Sequence, residues 1–225
     1  MKYADFESIM STPRMGRYLA ASTKGTKGAM TLYRKNLELS QELFTVISCF
    51  ELTLRNKIDQ HYKFIHGNDW LRDSITGAFS VPQCYRTRNI INGAFTNLGP
   101  NYNHNKLIAE MDFGFWRYLF TGPQFFAAGA TLLHIFPGKP TSTPTMQYNH
   151  TFVFNQLGQI NDLRNRIAHH EPICFLAGQP VKDTTYARQH YNLIKQLFQW
   201  MAVDEAALLY GMDHVTSICN DIDNL

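Results

Sequence analysis

Charged side chains of either sign are scarce in this sequence. Asp, Glu, Lys and Arg together make up 17% of its 225 residues, and the formal net charge is only +3. A domain that binds nucleic acid through its overall charge carries a much larger excess of Lys and Arg. Any contact with nucleic acid must therefore be local. At 44% hydrophobic, the chain is also too apolar for wholesale disorder, and its length suits a single globular domain, which we expect to span residues 1–225.

Cysteine is equally scarce. The four cysteines, none of them in a C-x-x-C pair, are Cys49, Cys84, Cys174 and Cys219. No His/Cys cluster has the spacing of a zinc site. We therefore expect reduced structural thiols and neither a metal centre nor a disulfide framework.

Long apolar runs are absent as well. The most apolar stretch, 125–136, is too short to cross a bilayer and contains His134. The first five residues lack the basic and then apolar pattern of a signal peptide. These features predict a cytoplasmic protein with no membrane partner.

Alternation of apolar and polar residues, the signature of half-buried strands, is also missing, whereas periods of three and four residues recur throughout the chain. This pattern predicts an all-α fold, a helical bundle with additional helices. The predicted helices cover 29–39, 40–67, 83–97, 104–120, 123–134, 147–170, 183–201 and 204–210, with Ser40 as the N-cap of the second and Pro123 in the first turn of the fifth. Three prolines make 137–144 a loop.

Two of these helices are long, and each has an apolar stripe. The stripe of the first consists of Leu43, Ile47, Phe50, Leu54 and Ile58, and that of the second of Val153, Leu157, Ile160 and Ile167. The second helix must end at or before Glu171, because Pro172 disfavours helical geometry in the residue that precedes it.

Beside its apolar stripe, the second long helix has a polar face. Asn161, Asn165 and His169 follow one another at intervals of four, and the long Arg164 side chain can lean toward them. The helix C-terminus favours the charged form of His169. A histidine that exchanges protons beside an arginine that holds a phosphate suits cleavage of a phosphodiester bond without a metal.

Two other interpretations of this helix end are open from the residues alone. The cationic residues could simply offset the negative end of the helix dipole in a solvated helix terminus. His169, His170 and Glu171 could suggest a metal site, but consecutive helical residues point in different directions and no H-E-x-x-H pattern is present.

The string Arg164-Asn-Arg-Ile-Ala-His169, and its extension through Pro172, resembles the signature of the Abi-like (abortive infection) branch of the HEPN superfamily. Three further stretches agree with that family in order and spacing. They are Arg17-Tyr-Leu19 with Ala29 to Tyr33 and Asn36 to Ser40, then Phe50-Glu-Leu-Thr-Leu-Arg-Asn56, then Ala109-Glu-Met-Asp-Phe-Gly-Phe-Trp116. The resemblance covers about 6–198 and leaves the tail 202–225 unassigned.

This resemblance implies a metal-independent endoribonuclease that needs no cofactor. His169 would transfer protons, Arg164 would stabilise the charged phosphorane, and Asn165 would orient these groups while the ribose 2′-hydroxyl attacks. The family also implies a homodimer with a composite cleft, and a growth-arresting, toxin-like effector of phage defence or stress. A partner of the antitoxin or regulator kind is also implied. The alternative is a non-catalytic RNA-binding or protein-interaction module.

Supporting residues are expected around the motif. Glu51, Arg55 and Asn56 would join the pocket from the first long helix, although Glu51 and Arg55 could equally form an ordinary i, i+4 ion pair. Asn161 and His170 complete the supporting set. The aromatic segment 113–116 could stack on bases, but we predict that it packs in the core, with Gly114 allowing a close helix approach.

Overall fold

The fold is all-α, as the absence of apolar and polar alternation predicts. The structure, a computed structural model, describes residues 1–225. Its α-helices are α1 Tyr3–Met10, α2 Thr12–Ala20, α3 Gly25–His66, α4 Trp70–Asp73, α5 Tyr85–Leu98, α6 His104–Ala109, α7 Phe113–Tyr118, α8 Gly122–Ala127, α9 His150–Ala168, α10 Thr185–Trp200, α11 Glu205–Leu208 and α12 Val215–Asp223. Short 3-10 turns cover Ala78–Ser80, Pro82–Cys84, Gly99–Asn101 and Leu132–Ile135. One isolated antiparallel bridge, between Phe175 and Lys182, is the only β pairing.

The chain forms two compact units, each assembled from separate stretches of sequence. The first unit comprises Met1–Ser48, Asp162–Lys195 and Ala206–Leu225. The second comprises Cys49–Asn161 and Gln196–Glu205. The prediction of a single domain over 1–225 stays a prediction. None of the helices combines the length and the hydrophobicity that a membrane span requires.

Helix α3 is one continuous helix, so the predicted break at Ser40 is wrong. The Ser40 hydroxyl donates to the carbonyl of Asn36, one turn earlier, at 2.9 Å. This bond engages the serine hydroxyl within the helix, so Ser40 does not cap a new helix. The predicted apolar stripe is confirmed, since all five of its side chains are at most 1% exposed.

The middle of the chain has shorter helices than predicted. The expected helix 104–120 is two helices, because Asp112 caps α7 by accepting the amide of Phe115 at 2.7 Å. The expected helix 123–134 ends at Ala127, where Gly129 and Ala130 have φ of 90° and 58°. Both predictions failed because apolar periodicity continued across a local cap or turn.

The aromatic segment 113–116 lies in the core of the second unit, as predicted. Phe113 is 1% exposed and Trp116 is fully buried, with its indole nitrogen donating to the carbonyl of Met111 at 3.1 Å. Gly114 has a different role from the predicted close helix approach. A Cβ on Gly114 would lie 3.3 Å from an Asp112 carboxylate oxygen, so the missing side chain leaves room for the α7 cap.

Helix α9 follows the predicted proline-rich loop and begins at His150, three residues later than predicted. Its start is set by Asn149, whose side-chain oxygen accepts the amide of Phe152 at 3.0 Å. Val153, Leu157 and Ile160 are fully buried, as predicted. The last buried position is Leu163, whereas Ile167 is only half-buried.

The two ends of the chain form helices for which the sequence analysis made no prediction. Near the C-terminus, α12 buries Val215, Ile218, Cys219 and Ile222 in the first unit. Its acidic residues are also held there, with Asp221 accepting from Lys35 at 3.0 Å and Asp223 from Arg188 at 2.8 Å.

All four cysteines are free thiols, and burial raises the pKa of Cys174 to about 12.

Candidate functional site

The motif of the sequence analysis lies at the C-terminal end of α9, which closes in a Schellman motif. The amide of His170 donates to the carbonyl of Ile167 at 3.0 Å, and the amide of Glu171 donates to the carbonyl of Arg166 at 2.8 Å. His170 has a φ of 56°, in the left-handed region that this motif requires. The helix therefore ends before Glu171, as Pro172 predicts, and His169 is its cap residue.

Arg166, the second arginine of the motif, is a structural residue. Its guanidinium donates to Glu171 at 3.2 Å and to the carbonyl of Pro172 at 2.9 Å. The same group stacks on Tyr186 of α10, with its central carbon 4.5 Å from the ring centroid. These contacts connect the helix end to the chain that follows it.

Two further residues of the first unit hold this segment. Arg14 of α2 donates to the carbonyl of His170 at 2.9 Å. The side-chain oxygen of Asn36, a buried residue of α3, accepts the amide of Ile173 at 2.9 Å. Three of these side chains, Arg14, Asn36 and Arg166, therefore bind backbone groups of residues 170–173 and anchor the segment that follows His169.

A groove of about 400 Å³ runs beside the helix end, within the first unit. It is lined mainly by Arg14, Arg17, Tyr18, His170, Glu171 and Pro172. The Arg17 guanidinium donates to the carbonyls of Leu176 and Gln179 at 3.2 and 3.0 Å, and it lies 4.6 Å from the centroid of the Phe175 ring.

The charge of this groove favours an anion. Its one carboxylate, on Glu171, is paired with Arg166, so Arg14 and Arg17 are left as the dominant charges. A guanidinium has five N–H donors in a planar fork, and each of these arginines uses only some of them on backbone carbonyls. The groove can therefore bind a phosphate through the donors that remain.

The motif residues reach the surface to different extents. Asn165, His169 and His170 are exposed, and Arg164 is half-exposed. The His169 amide still donates to the carbonyl of Asn165 at 2.9 Å, which keeps these two residues one helical turn apart. His169 lies five positions after Arg164, which puts the two residues about 140° apart around the helix axis.

The supporting residues lie on α3 and on the preceding turn of α9. Arg55 and Asn56 touch each other, with the guanidinium Nε donating to the amide oxygen at 3.4 Å. Glu51 is half-buried one turn earlier, and Asn161 is half-buried on α9. That these side chains share one cleft with His169 stays a prediction.

Arg14 and Arg17 are candidate binding residues that sequence reasoning missed. The sequence singles out Arg17 only through the family resemblance, and no motif includes Arg14. The available sequence signal is the spacing of Met15 and Tyr18, which are three residues apart and buried on an amphipathic α2. Arg14 and Arg17 each precede one of these buried residues. The contact that gives these arginines meaning spans more than 150 residues, which no local pattern encodes.

The structure has no group of three or more His, Cys, Asp or Glu side chains that could hold a metal ion. The metal independence of the chemistry stays a prediction, which the chelator experiment below tests.

Comparisons with models of protein families, with curated proteins and with solved structures find no match to this chain.

Proposed function

We propose that this protein is a metal-independent endoribonuclease of the kind that its resemblance to Abi-like HEPN proteins implies. The observation that carries the proposal is the end of α9. There a hydrogen-bonded helix end presents His169 at the surface, and an arginine-lined groove begins at the adjacent residue, His170. The arrangement offers both a proton-transfer group and a phosphate-binding surface.

In the proposed reaction, the ribose 2′-hydroxyl attacks the adjacent phosphorus and the bond to the 5′-oxygen breaks. The products are a 2′,3′-cyclic phosphate and a free 5′-hydroxyl. His169 transfers a proton in this exchange, Arg164 stabilises the charged phosphorane, and Asn165 orients the reacting groups. Arg14 and Arg17 bind a flanking phosphate of the same strand.

The proposal includes a homodimer with a composite cleft. The separation of about 140° between Arg164 and His169 around one helix supports a site in which the arginine of one protomer serves the histidine of the other. Glu51, Arg55, Asn56 and Asn161 would support such a cleft. The proposed role is that of a growth-arresting effector in phage defence or stress, restrained by an antitoxin or another regulator.

The direct test incubates the purified protein with total cellular RNA in the presence of a chelator. Cleavage should persist with chelator and should fall by about two or more orders of magnitude in His169→Ala. Arg164→Lys should also fail, because an ammonium cannot reproduce the planar guanidinium.

His170→Asn is the matched control, since asparagine tolerates the left-handed backbone of this position and removes only the neighbouring imidazole. Equal losses in His169→Ala and His170→Asn would mean that the wrong histidine has been assigned. Cleavage that vanishes in chelator and returns with added metal would refute the mechanism.

The second candidate function is a non-catalytic RNA-binding module, which the arginine-lined groove favours independently of His169. Such a module would bind RNA and leave it intact, and Arg14→Gln with Arg17→Gln would abolish binding. RNA that stays uncut by the unaltered protein, together with binding that depends on these arginines, would select this function over the nuclease.

A further inference from the structure

A phenylalanine on the last turns of α3 is almost fully exposed. The side chain of Phe64 is 92% exposed, more than any other large hydrophobic residue of the chain. A phenylalanine in water contributes nothing to the core and leaves a large apolar surface exposed to solvent. Such a side chain is therefore a candidate for contact with another molecule.

Phe64 stands on the wall of a groove within the second unit. The groove has a volume of about 340 Å³. One wall is a face of α3, where Lys57, Gln60, His61 and Phe64 follow at helical spacing. The other wall includes His134 from the Leu132–Ile135 turn.

The groove has positive charge and no acidic side chain among the residues that line it. Lys57 supplies the fixed charge. The imidazole Nε2 of His61 lies 3.0 Å from the hydroxyl oxygen of Thr131, and burial, together with nearby His134 and His66, lowers the pKa of His61. His61 is therefore a neutral hydrogen-bonding group at neutral pH, beside the exposed imidazole of His134.

An exposed aromatic ring and a lysine two helical turns apart, in one groove whose lining has no carboxylate, have the chemistry of a single-strand binding surface. Every nucleobase has an apolar face that can stack on an aromatic side chain, and a lysine nearby attracts the phosphate backbone. A groove for an apolar peptide would need no positive charge. A duplex would keep its bases stacked on one another and could not use Phe64.

We propose that this groove binds single-stranded RNA, with one base stacked on Phe64 and a backbone phosphate next to Lys57. The inference rests on the proposed function in taking RNA as the ligand, but it concerns a surface outside the Arg164, Asn165 and His169 motif. It assigns the groove the task of holding the strand, with no part in bond cleavage.

The test measures binding apart from cleavage. The probe is a fluorescein-labelled single strand of about 12 nucleotides, within the range of known single-strand sites, and it is 2′-O-methylated so that no 2′-hydroxyl can attack. Fluorescence anisotropy is recorded with the full chain and with three variants, Phe64→Ala, Phe64→Leu and Phe64→Tyr. Phe126→Leu is the control, because Phe126 is also exposed, at 65%, in the same unit and does not line the groove.

Phe64→Ala and Phe64→Leu should each weaken binding about 5-fold to about 150-fold, the range found when a stacking ring is removed. Phe64→Tyr and Phe126→Leu should bind like the unaltered protein. Lys57→Gln should reduce the dependence of log K on log salt by about 0.7, the value for one phosphate contact on a single strand. Annealing the probe to its complement should abolish the Phe64-dependent part of binding.

Unchanged affinity in Phe64→Ala, or full affinity in Phe64→Leu, would overturn the proposal, because the first excludes the ring and the second replaces stacking by general apolar contact. The proposed nuclease is judged separately, by cleavage of unmodified RNA. Phe64-dependent binding without cleavage would leave this proposal standing and refute the nuclease. Cleavage with Phe64-independent binding would do the reverse.

Discussion

Replacement of Asp59 by alanine should destabilise the protein substantially, because one carboxylate satisfies three donors in the second unit. The donors are His104 Nε2 and Lys63 Nζ, each at 2.7 Å, and the indole nitrogen of Trp70 at 2.9 Å. The Asp59 and His104 side chains are only 13% and 10% exposed, and Trp70 is 3% exposed. Burial alone would raise the pKa of Asp59, but these hydrogen bonds together hold it below its ordinary value.

The magnitude follows from which donors can regain water. Lys63 is 31% exposed and its ammonium can be hydrated after the change, so the loss of its bond to Asp59 costs little. His104 and Trp70 stay buried, and each unsatisfied donor costs about 1–3 kcal/mol. We therefore expect Asp59→Ala to lower the free energy of unfolding by about 3 kcal/mol, which corresponds to a fall in Tm of about 6–12 °C for a chain of this size.

Urea denaturation followed by circular dichroism measures this loss, with Asp73→Ala as the control. Asp73 pairs with Arg72 at 2.8 Å, but its side chain is 55% exposed, so its removal should cost no more than about 1 kcal/mol. Since folding lowers the pKa of Asp59, its stabilisation should be present at neutral pH and be lost as the pH falls below the ordinary carboxyl range, about 4. A loss in Asp59→Ala no larger than that in Asp73→Ala would refute the reasoning.

Two further predictions concern stability. His170→Gly should raise the free energy of unfolding by about 0.5–1 kcal/mol, because glycine adopts the left-handed backbone without a steric penalty and loses only part of that gain to chain entropy; a destabilised His170→Gly in urea would mean that the imidazole itself stabilises the helix end. Burial lowers the pKa of His190, and the charge of Arg166 lowers it further, although the Tyr186 carbonyl and Asp162 act in the opposite direction. The unfolded chain therefore binds a proton that the folded His190 resists, and the free energy of unfolding should fall as the pH drops below about 6.5. His190→Gln should reduce this fall, measured between about pH 7 and about pH 5.5, without abolishing it, because His61 has a lowered pKa as well; an unchanged pH dependence would exclude His190 as a contributor.

Elements with strong periodicity could be predicted from the sequence, and elements set by single polar contacts could not. The α3 stripe and the end of α9 before Pro172 were predicted because apolar spacing and proline act locally. The split between α6 and α7 depends on one side-chain cap by Asp112. Inside the continuous α3, the Ser40 hydroxyl bonds back to the carbonyl of Asn36 and does not cap a new helix. The sequence pattern around each residue is compatible both with a helix that continues and with one that begins anew.

The candidate site divides in the same way. The polar face of α9 follows from spacing, so Asn165 and His169 could be identified from the sequence. The structural use of Arg166 could not, because its partners include Tyr186, on another helix. Arg14 reaches His170 across 156 residues, and the exposure of Phe64 is a property of the folded surface that its apolar character alone argues against.

The end groups of the cleaved RNA test the central claim most directly. RNA incubated with the protein in chelator should carry 2′,3′-cyclic phosphates and free 5′-hydroxyls at the new ends, and a 2′-O-methyl group at a mapped cleavage position should block cutting there. His169→Ala should produce neither end. New 5′-phosphate ends that appear only with added metal, or cleavage that His169→Ala retains in full, would contradict the account.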